Sequence, residues 1–597
     1  MLDRAQSLRT ASSAEAETPL CRVVRQFLEA LLFEGCLDAV RVPCGTSGDH
    51  IFYFALGKRH FSCRGKVRGF GRIRLHMHTL AALAGGRRQM PALEEMLYQI
   101  LTEIPGDTEA KRQLGSELLQ TVYWSLWNQR HLAQVLRRHM DYVSLETHMR
   151  EGHPYHPCFK ARSGFSESDH RRFSSDCGQS FQLRWLAVRR DQVRVNLGDC
   201  SASAFWTAQG CAVQLEACRR RGQNPGDFCY VPVHPWQWCH YLRERLSSVF
   251  LAAEPAVLDL GYMGDHYRAS QSQRTLINVS RPGAADIKLP LNIVSTSSRR
   301  HLLSHSLCAA PAISQWLSSA VEKDDFFSAH PLIILREFAG LLVNRRLYDP
   351  AGDSSVSHFS SLWRDPVSVA LRSDERAVPM TALLAVEADG LPFIQHWIEE
   401  YGLKPWLEQL LRVVVLPVWH LLACHGLALE AHAQNVILIH RDGWPVRLAV
   451  RDFHESFEYV PGFVSNPEQI PDFAALDPAL ANAPADQFYW MARVDALREL
   501  YMDTLYIFHL SDLALICEQH YGLAETHFWQ MLAALLQQYM DSGRCPQQRL
   551  SQLGHNAPLV RAESLIRKKL RDHPDSEYHH QVKNPFAHLA AVGAALC

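Results

Sequence analysis

The chain has 597 residues, too many for one ordinary hydrophobic core, so two to four domains are expected. Its composition is globular, with 47% apolar and 21% charged residues. The net charge of −1 excludes a whole-chain field that would favour nucleic acid or an anionic membrane, so any anion site must be built locally. Sixteen cysteines are scattered without a CxxC pair, which argues against a zinc ribbon or a thioredoxin-type site. The N-terminal stretch has acidic residues and no apolar core, unlike a signal peptide. The longest apolar run, residues 411–423, is broken by Pro417 and His420 and is too short to span a bilayer. A reduced, soluble, cytoplasmic protein is expected, with no membrane and no nucleic-acid partner.

Residues 1–20 are polar. Residues 21–35 carry helical apolar spacing. From 38 to 78, short alternating runs predict a small antiparallel sheet, and 91–148 is helical in pattern. Residues 149–350 are rich in Pro, Gly, Ser, His and Arg, with several strand-like runs. The last part returns to helical patterns at 391–424, 487–519, 525–541 and 558–571. Strands and helices are segregated rather than alternating, so the fold class is α+β. His76 and His78 read as surface residues of a strand, and Tyr578, His579 and His580 as surface residues near the C-terminus.

Three constellations carry chemistry. The first is the loop Gly152-His153-Pro154-Tyr155-His156-Pro157-Cys158-Phe159-Lys160-Ala161-Arg162. Two prolines three apart forbid a regular helix, and two histidines, a lysine and an arginine suit a polyanion. The bland alternative is a solvated basic loop. The second runs from Ser272, Arg274, Thr275 and Asn278 through Pro282-Gly283 to Lys288, Thr296, Ser297 and Arg300. Its apolar-alternating flanks predict a hairpin. Lys288, Thr296 and Arg300 have equal parity and would share a face on a regular strand, although the Ser/Arg run could instead begin a helix.

The third is residues 425–454. Glu430, His432 and Gln434 alternate with Leu429, Ala431 and Ala433, so an extended chain would put the polar set on one face. Apolar β-type runs at 436–439 and 446–450 flank an Asp-Gly turn. Folding about that turn brings Asn435 opposite Arg451 or Asp452, about 5 Å away. A carboxylate beside an amide oxygen is a hard-oxygen pair suited to Mg²⁺ carrying nucleotide phosphates, the arrangement protein kinases use. The bland alternative is a buried polar hairpin whose histidine and glutamate satisfy each other.

Together these segments, with VPVHPWQW at 231–238, RDFH at 451–454 and Val582-Lys583-Asn584-Pro585, resemble the NRPS-independent siderophore synthetases of the IucA/IucC family, in the family's order and over about 150–590. The resemblance implies a hand-like architecture: a thumb (1–148), fingers (149–374) and a kinase-like palm (375–597). It implies that ATP activates a carboxylate of citrate or a citrate derivative as an acyl-adenylate, which an amine or alcohol then attacks. On that reading His156, Lys288, Arg300 and His432 act at the reacting groups. His153, Lys160, Arg162, Ser272, Arg274, Thr275, Thr296, Ser297, Gln434 and Arg451 bind ATP or substrate. Glu430, Asn435 and Asp452 hold Mg²⁺. Family members are often dimers, so a homodimer is a further expectation. One departure stands out: Glu455-Ser456 follows RDFH where the family often has glycine. Two other readings compete, a small-molecule phosphotransferase and an iron-handling protein akin to ferric-siderophore reductases. The latter need a late cysteine cluster, whereas the late cysteines here are Cys517, Cys545 and Cys597.

Overall fold

The structure, a computed structural model, describes residues 17–45, 48–84, 87–198, 200–252, 254–296, 298–571 and 578–587. Ser297 and Cys597 therefore lie outside the described residues. Helix Pro19–Phe33 opens the described chain. The Thr18 hydroxyl accepts from the Cys21 N–H, and Pro19 occupies a first-turn position where no amide hydrogen is needed. The expected small sheet follows. Strands Ala39–Cys44, Asp49–Leu56, Arg59–Val67, Ala81–Ala84 and Arg87–Gln89 are neighbours in that order, and Ile73–Leu75 also pairs with Arg59–Val67. Helices Leu93–Glu103, Thr108–His131 and Tyr142–His148 complete this part.

The middle of the chain builds an eight-stranded antiparallel sheet. Its spatial order is Phe228–Val233, Phe181–Arg189, Val257–Ala269, Thr275–Asn278, Asp286–Lys288, Ser360–Arg364, Glu337–Val343 and Val193–Asn196. Helix Ser304–Glu322 packs against strand Glu337–Val343 at Gly340, where a Cβ would collide with the Leu307 carbonyl. This sheet has its own core, in which Trp363, Tyr230 and Phe359 are fully buried.

A four-stranded sheet holds the hairpin Val436–Arg441/Trp444–Val450, flanked by Arg376–Pro379 and, in parallel, by Leu332–Ile334. The hairpin register, Val436 opposite Val450, extends to Asn435 opposite Arg451, whose N–H donates to the Asn435 carbonyl at 3.0 Å. The N-terminal and C-terminal parts share one large core running from Val23 to Phe586. Polar ties reinforce it: the Glu34 carboxylate accepts from the Ile566 and Arg567 N–H groups, and Lys569 pairs with Glu117.

Two expectations fail in this C-terminal part. Residues 558–571 are not one helix: Leu559–Glu563 is a strand paired with His579–Lys583, and only Leu565–Lys569 is helical. Val560 and Ala562 are buried between exposed neighbours, a period of two that a short window confuses with helical spacing. His580 is accordingly half-buried, its ring edge-on to Phe33. Among the described residues, two helical stretches, Leu403–His425 and Val494–Tyr521, are long and apolar enough to cross a membrane by length and composition. Their most apolar windows are 78% and 89% buried inside the protein, so their apolar surface is already spent on the core.

Candidate active site

Asp452 is the centre of the site. Its backbone adopts φ = +66°, a left-handed conformation that costs a non-glycine residue about 1–2 kcal/mol. Glu337 holds that turn. One of its oxygens accepts from the N–H groups of Phe453 (3.1 Å) and His454 (3.0 Å), and the other pairs with His454 Nδ1 at 2.9 Å. Glu337 is itself fixed because its N–H donates to Ser314 Oγ on the packed helix. Lys288 Nζ lies 2.6 Å from Asp452 Oδ1 and 3.4 Å from Glu337, and Arg364 reaches the same Oδ1 at 2.9 Å while gripping Asp286 at 2.8 Å. Burial opposes ionisation of Asp452, but Lys288, Arg364 and Arg451 outweigh it and hold the carboxyl well below its usual range. Burial likewise lowers the Lys288 pKa, against the pull of Asp452 and Glu337.

The Glu430–Asn435 segment is not the extended strand expected. Strand Leu427–Leu429 ends before it, and the chain turns so that the Asn435 N–H donates to the His432 carbonyl at 2.9 Å. His432 Nδ1 accepts from the N–H groups of Gln434 (3.2 Å) and Asn435 (3.3 Å), so the imidazole is spent in part on the turn. Asn435 Nδ2 donates to the Glu430 carbonyl at 3.1 Å, which leaves its amide oxygen outside that bond. Glu430 takes the Ser456 hydroxyl and lies 3.7 Å from His432 Nε2. The segment is anchored from behind by the π-helical Met502–Leu510, through Thr504 Oγ1 accepting from the Ala431 N–H at 3.0 Å. Arg451 turns away from the cleft: it is 2% exposed and spans Glu146 (2.8 Å), Tyr142 (2.6 Å) and the Gln434 carbonyl (2.9 Å).

The parity argument for the second constellation also fails. Thr275 pairs with Lys288 in the expected hairpin, but the chain leaves that sheet after Lys288. Leu291–Ser295 and Ser298–Arg300 form a separate small sheet with Arg162–Ser163, and Thr296 sits at its tip with φ = +58°. Arg300 therefore approaches from another surface. Its guanidinium donates to the Ser295 carbonyl at 2.9 Å, while its buried Nε has no hydrogen-bond partner. Burial, assisted by Arg274, lowers its pKa to about 10. Arg274 contacts the His301 carbonyl and Glu455 Oε2 (3.4 Å), and its Nε also has no partner. Glu455, the departure from the family pattern, thus meets a basic residue of the middle sheet. Ser272 Oγ accepts from the Thr275 N–H at 3.1 Å and meets Ser270 Oγ at 3.1 Å, while Thr275 Oγ1 is buried without a partner.

The His-Pro loop splits into two roles. His153 Nδ1 accepts from the N–H groups of Tyr155 and His156, both at 3.1 Å, and His156 Nδ1 accepts from Cys158 N–H at 3.1 Å. His156 is fully buried, and its Nε2 has no partner. Its basicity is lowered by burial, then by Lys569, His153 and Arg300, so the imidazole is neutral and lies within electrostatic reach of Arg300. His153 is pushed to about 3 by burial and then by His432, which ties this loop to the 430–435 turn. Lys160 and Arg162 do not point at an open anion surface. Both grip the buried Asp176 at 3.0 Å, where Asn128 adds a bond of 2.8 Å.

Sequence reasoning missed Glu337, Arg364, Asp286 and Asp176. Each is a charged residue buried within or beside apolar chain, and that oddity was the available signal.

Comparison with known proteins identifies the family. The profile described as "IucA / IucC family" matches residues 141–385, and one described as "Ferric iron reductase FhuF-like transporter" matches residues 404–577. An iron–sulfur centre needs four ligands, usually thiolates, whereas among the described residues Cys545 has Cys424 as its thiol neighbour and Cys517 is buried. The citryl-spermidine/3,4-dihydroxybenzoyl-citryl-spermidine:spermidine ligase of Bacillus anthracis is 30% identical over 578 residues, covering 94% of this chain and 92% of that protein. The petrobactin biosynthesis protein AsbB from B. anthracis str. Sterne superposes with a TM-score of 0.88 at 29% identity, covering 97% of each chain. Aerobactin synthetase IucC from a hypervirulent Klebsiella pneumoniae shares the fold, with a TM-score of 0.78 at 24% identity over 95% of this chain and 98% of that one. The chain belongs to the IucA/IucC family of ligases that build siderophores.

Proposed function

We propose that the enzyme uses ATP to adenylate a carboxylate of citrate or a citrate monoamide and passes the acyl group to a primary amine of the polyamine class. The substrate class rests on the 30% identical spermidine ligase. The observation that carries the site assignment is the direct meeting of the Lys288 strand with the Asp452 turn, at 2.6 Å, beside arginines that keep unused donors. A carboxylate oxygen attacks the α-phosphorus and pyrophosphate leaves. The amine nitrogen then attacks the acyl carbon, loses its proton, and AMP departs. No protein nucleophile is needed, so the residues act by positioning and by neutralising spreading charge.

Arg274 and Arg300 supply guanidinium donors to phosphate or substrate carboxylate, and His156 supplies a buried ring nitrogen without a partner. Thr275, Thr296 and Ser272 contribute hydroxyls to the same basic segment of chain, and Ser297, which adjoins Thr296 in sequence, lies outside the described residues. His153, His432 and Gln434 border it from the other side. Lys160, Arg162 and Arg451 act from behind, as the supports of the loop and hairpin that carry the contacting groups. Asp452 Oδ2, the Asn435 amide oxygen and Glu430 are hard-oxygen donors that fit Mg²⁺, whereas His454 offers a nitrogen that this ion takes reluctantly. When bound, Mg²⁺ neutralises phosphate charge. The division into thumb, fingers and palm at 1–148, 149–374 and 375–597, with a kinase-like palm, is part of the same proposal.

The test is hydroxylamine trapping with ATP, Mg²⁺ and a panel of acids, with nucleotide products analysed. Hydroxamate formation with citrate or its monoamide, together with AMP and pyrophosphate, is expected. ADP as product would convert the assignment to a phosphotransferase.

A further inference from the structure

We propose that a second group of side chains, Asp324, His420 and His425, is a binding site for a divalent transition metal such as Zn²⁺, separate from the Asp452 centre. Asp324 Oδ2 lies 2.9 Å from His420 Nε2 and 2.8 Å from His425 Nε2. Ligand atoms each about 2.0–2.1 Å from one ion, set at roughly tetrahedral to right angles, stand about 3 Å apart, which is the spacing found here. Two imidazoles and one carboxylate form a donor set for zinc or another first-row ion, unlike the all-oxygen set at Asp452.

Three further observations point the same way. The two histidines are five residues apart, and in an α-helix they would diverge by roughly 140°. Here the helix Leu403–His420 runs into a π-helical turn, Leu421–His425, which brings both rings onto the same carboxylate oxygen. Such π-turns interrupt α-helices mostly at functional positions. Second, the ring of His420 is already oriented as a ligand. Its Nδ1 meets Tyr539 OH at 2.7 Å, and its face stacks on Phe326 with centroids 3.8 Å apart. The phenol holds the ring in place with Nε2 turned toward Asp324. Third, the site is reachable. A cavity of about 280 Å³ is lined by Asp324, His425, Asp325, Asn466 and Gln469, with Lys323 also on its wall. The cavity gives an ion an entry path and leaves coordination positions for water. The other Asp324 oxygen accepts from the Phe326 N–H at 2.9 Å, which restrains the carboxylate.

The competing account is a hydrogen-bonded triad in which both imidazoles merely donate to Asp324. It requires no ion and predicts no stoichiometric binding. The experiment uses the full chain, freed of metal with a chelator and then titrated with Zn²⁺, with bound metal measured after gel filtration and the thermal midpoint recorded. Co²⁺, whose visible absorption reports its ligands, serves as the second probe. One equivalent is expected to bind and to raise the midpoint. Asp324→Asn, whose amide oxygen can still accept from the Phe326 N–H, and His425→Ala should each weaken binding by about tenfold or more. Asp452→Asn should leave that equivalent in place. Absence of stoichiometric binding, or binding unchanged in both Asp324→Asn and His425→Ala, overturns the proposal. Loss of the equivalent in Asp452→Asn, with retention in the other two variants, overturns it as well.

Discussion

Asp452 and Asp176 are two aspartates built to the same plan and put to different ends. Each is clasped by two cations: Lys288 and Arg364 at Asp452, Lys160 and Arg162 at Asp176. Each carboxyl is held well below its usual range because those cations outweigh the effect of burial. The difference lies in what remains unspent. Around Asp176, one oxygen collects Lys160, Arg162 and Asn128, and the group is sealed by Ser174 and His170. Around Asp452, one oxygen collects both cations, the backbone is strained, and Arg274 and Arg300, which interact electrostatically with Lys288 and Asp452, keep nitrogens without partners. A buried ion cluster is therefore informative about function only when donors are left over.

That contrast can be broken by experiment. The largest effect is expected from Asp452→Asn, which should lower ATP–pyrophosphate exchange by about a hundred- to a thousandfold while the protein stays folded. Near-normal exchange would make Asp452 a second Asp176. Conversely, Asp176→Ala strands two buried cations and should cost about 3–5 kcal/mol in urea unfolding. If it instead removed activity at unchanged stability, the Asp176 cluster would belong to the catalytic surface. Arg300→Ala should sit between the two, raising the KM for ATP or the acid by roughly ten- to a hundredfold, the value of one or two charged hydrogen bonds, with the thermal midpoint unmoved.

The smallest effect concerns pH. Burial raises the Glu337 pKa, but His454 and Lys288 outweigh it and hold the carboxyl down, at about 2. A carboxyl depressed in the folded state contributes its full stability above its unfolded value of 4.5 and loses it as the pH falls toward 2. Unfolding followed between pH 5 and 2 should show that decline, and Glu337→Gln should make it shallower, the rest belonging to the other depressed carboxyls such as Asp452, Asp176 and Glu455.

What the sequence disclosed follows the range of the interactions. The Val436–Arg441/Trp444–Val450 hairpin was legible because an Asp-Gly turn and β-branched runs are local signals; they left Arg451 and Asp452 as alternatives opposite Asn435, and the register selects Arg451. The hairpin about Pro282-Gly283 was legible from its turn and apolar-alternating flanks, though its Thr275–Lys288 register was not. The Glu430–Asn435 turn was not, because alternation in a short window cannot reveal that His432 caps its own chain. Nor could composition reveal that Lys160 and Arg162 answer to Asp176, or that Glu337 pins the Asp452 turn from more than a hundred residues away. Those pairings are made by tertiary folding alone.

The Arg451 clamp has a consequence for dissecting this chain by truncation. Its guanidinium, 2% exposed, is neutralised by Glu146 and Tyr142, which lie just before residue 149 where the second proposed segment begins. A fragment beginning at 149 would carry the hairpin with a buried charge and no counter-charge, and would also lose the Glu34 and Glu117 ties to residues 566–569. The hairpin is thus stitched to the N-terminal helices, and expression of residues 149–597 alone should yield less soluble protein than expression of the whole chain.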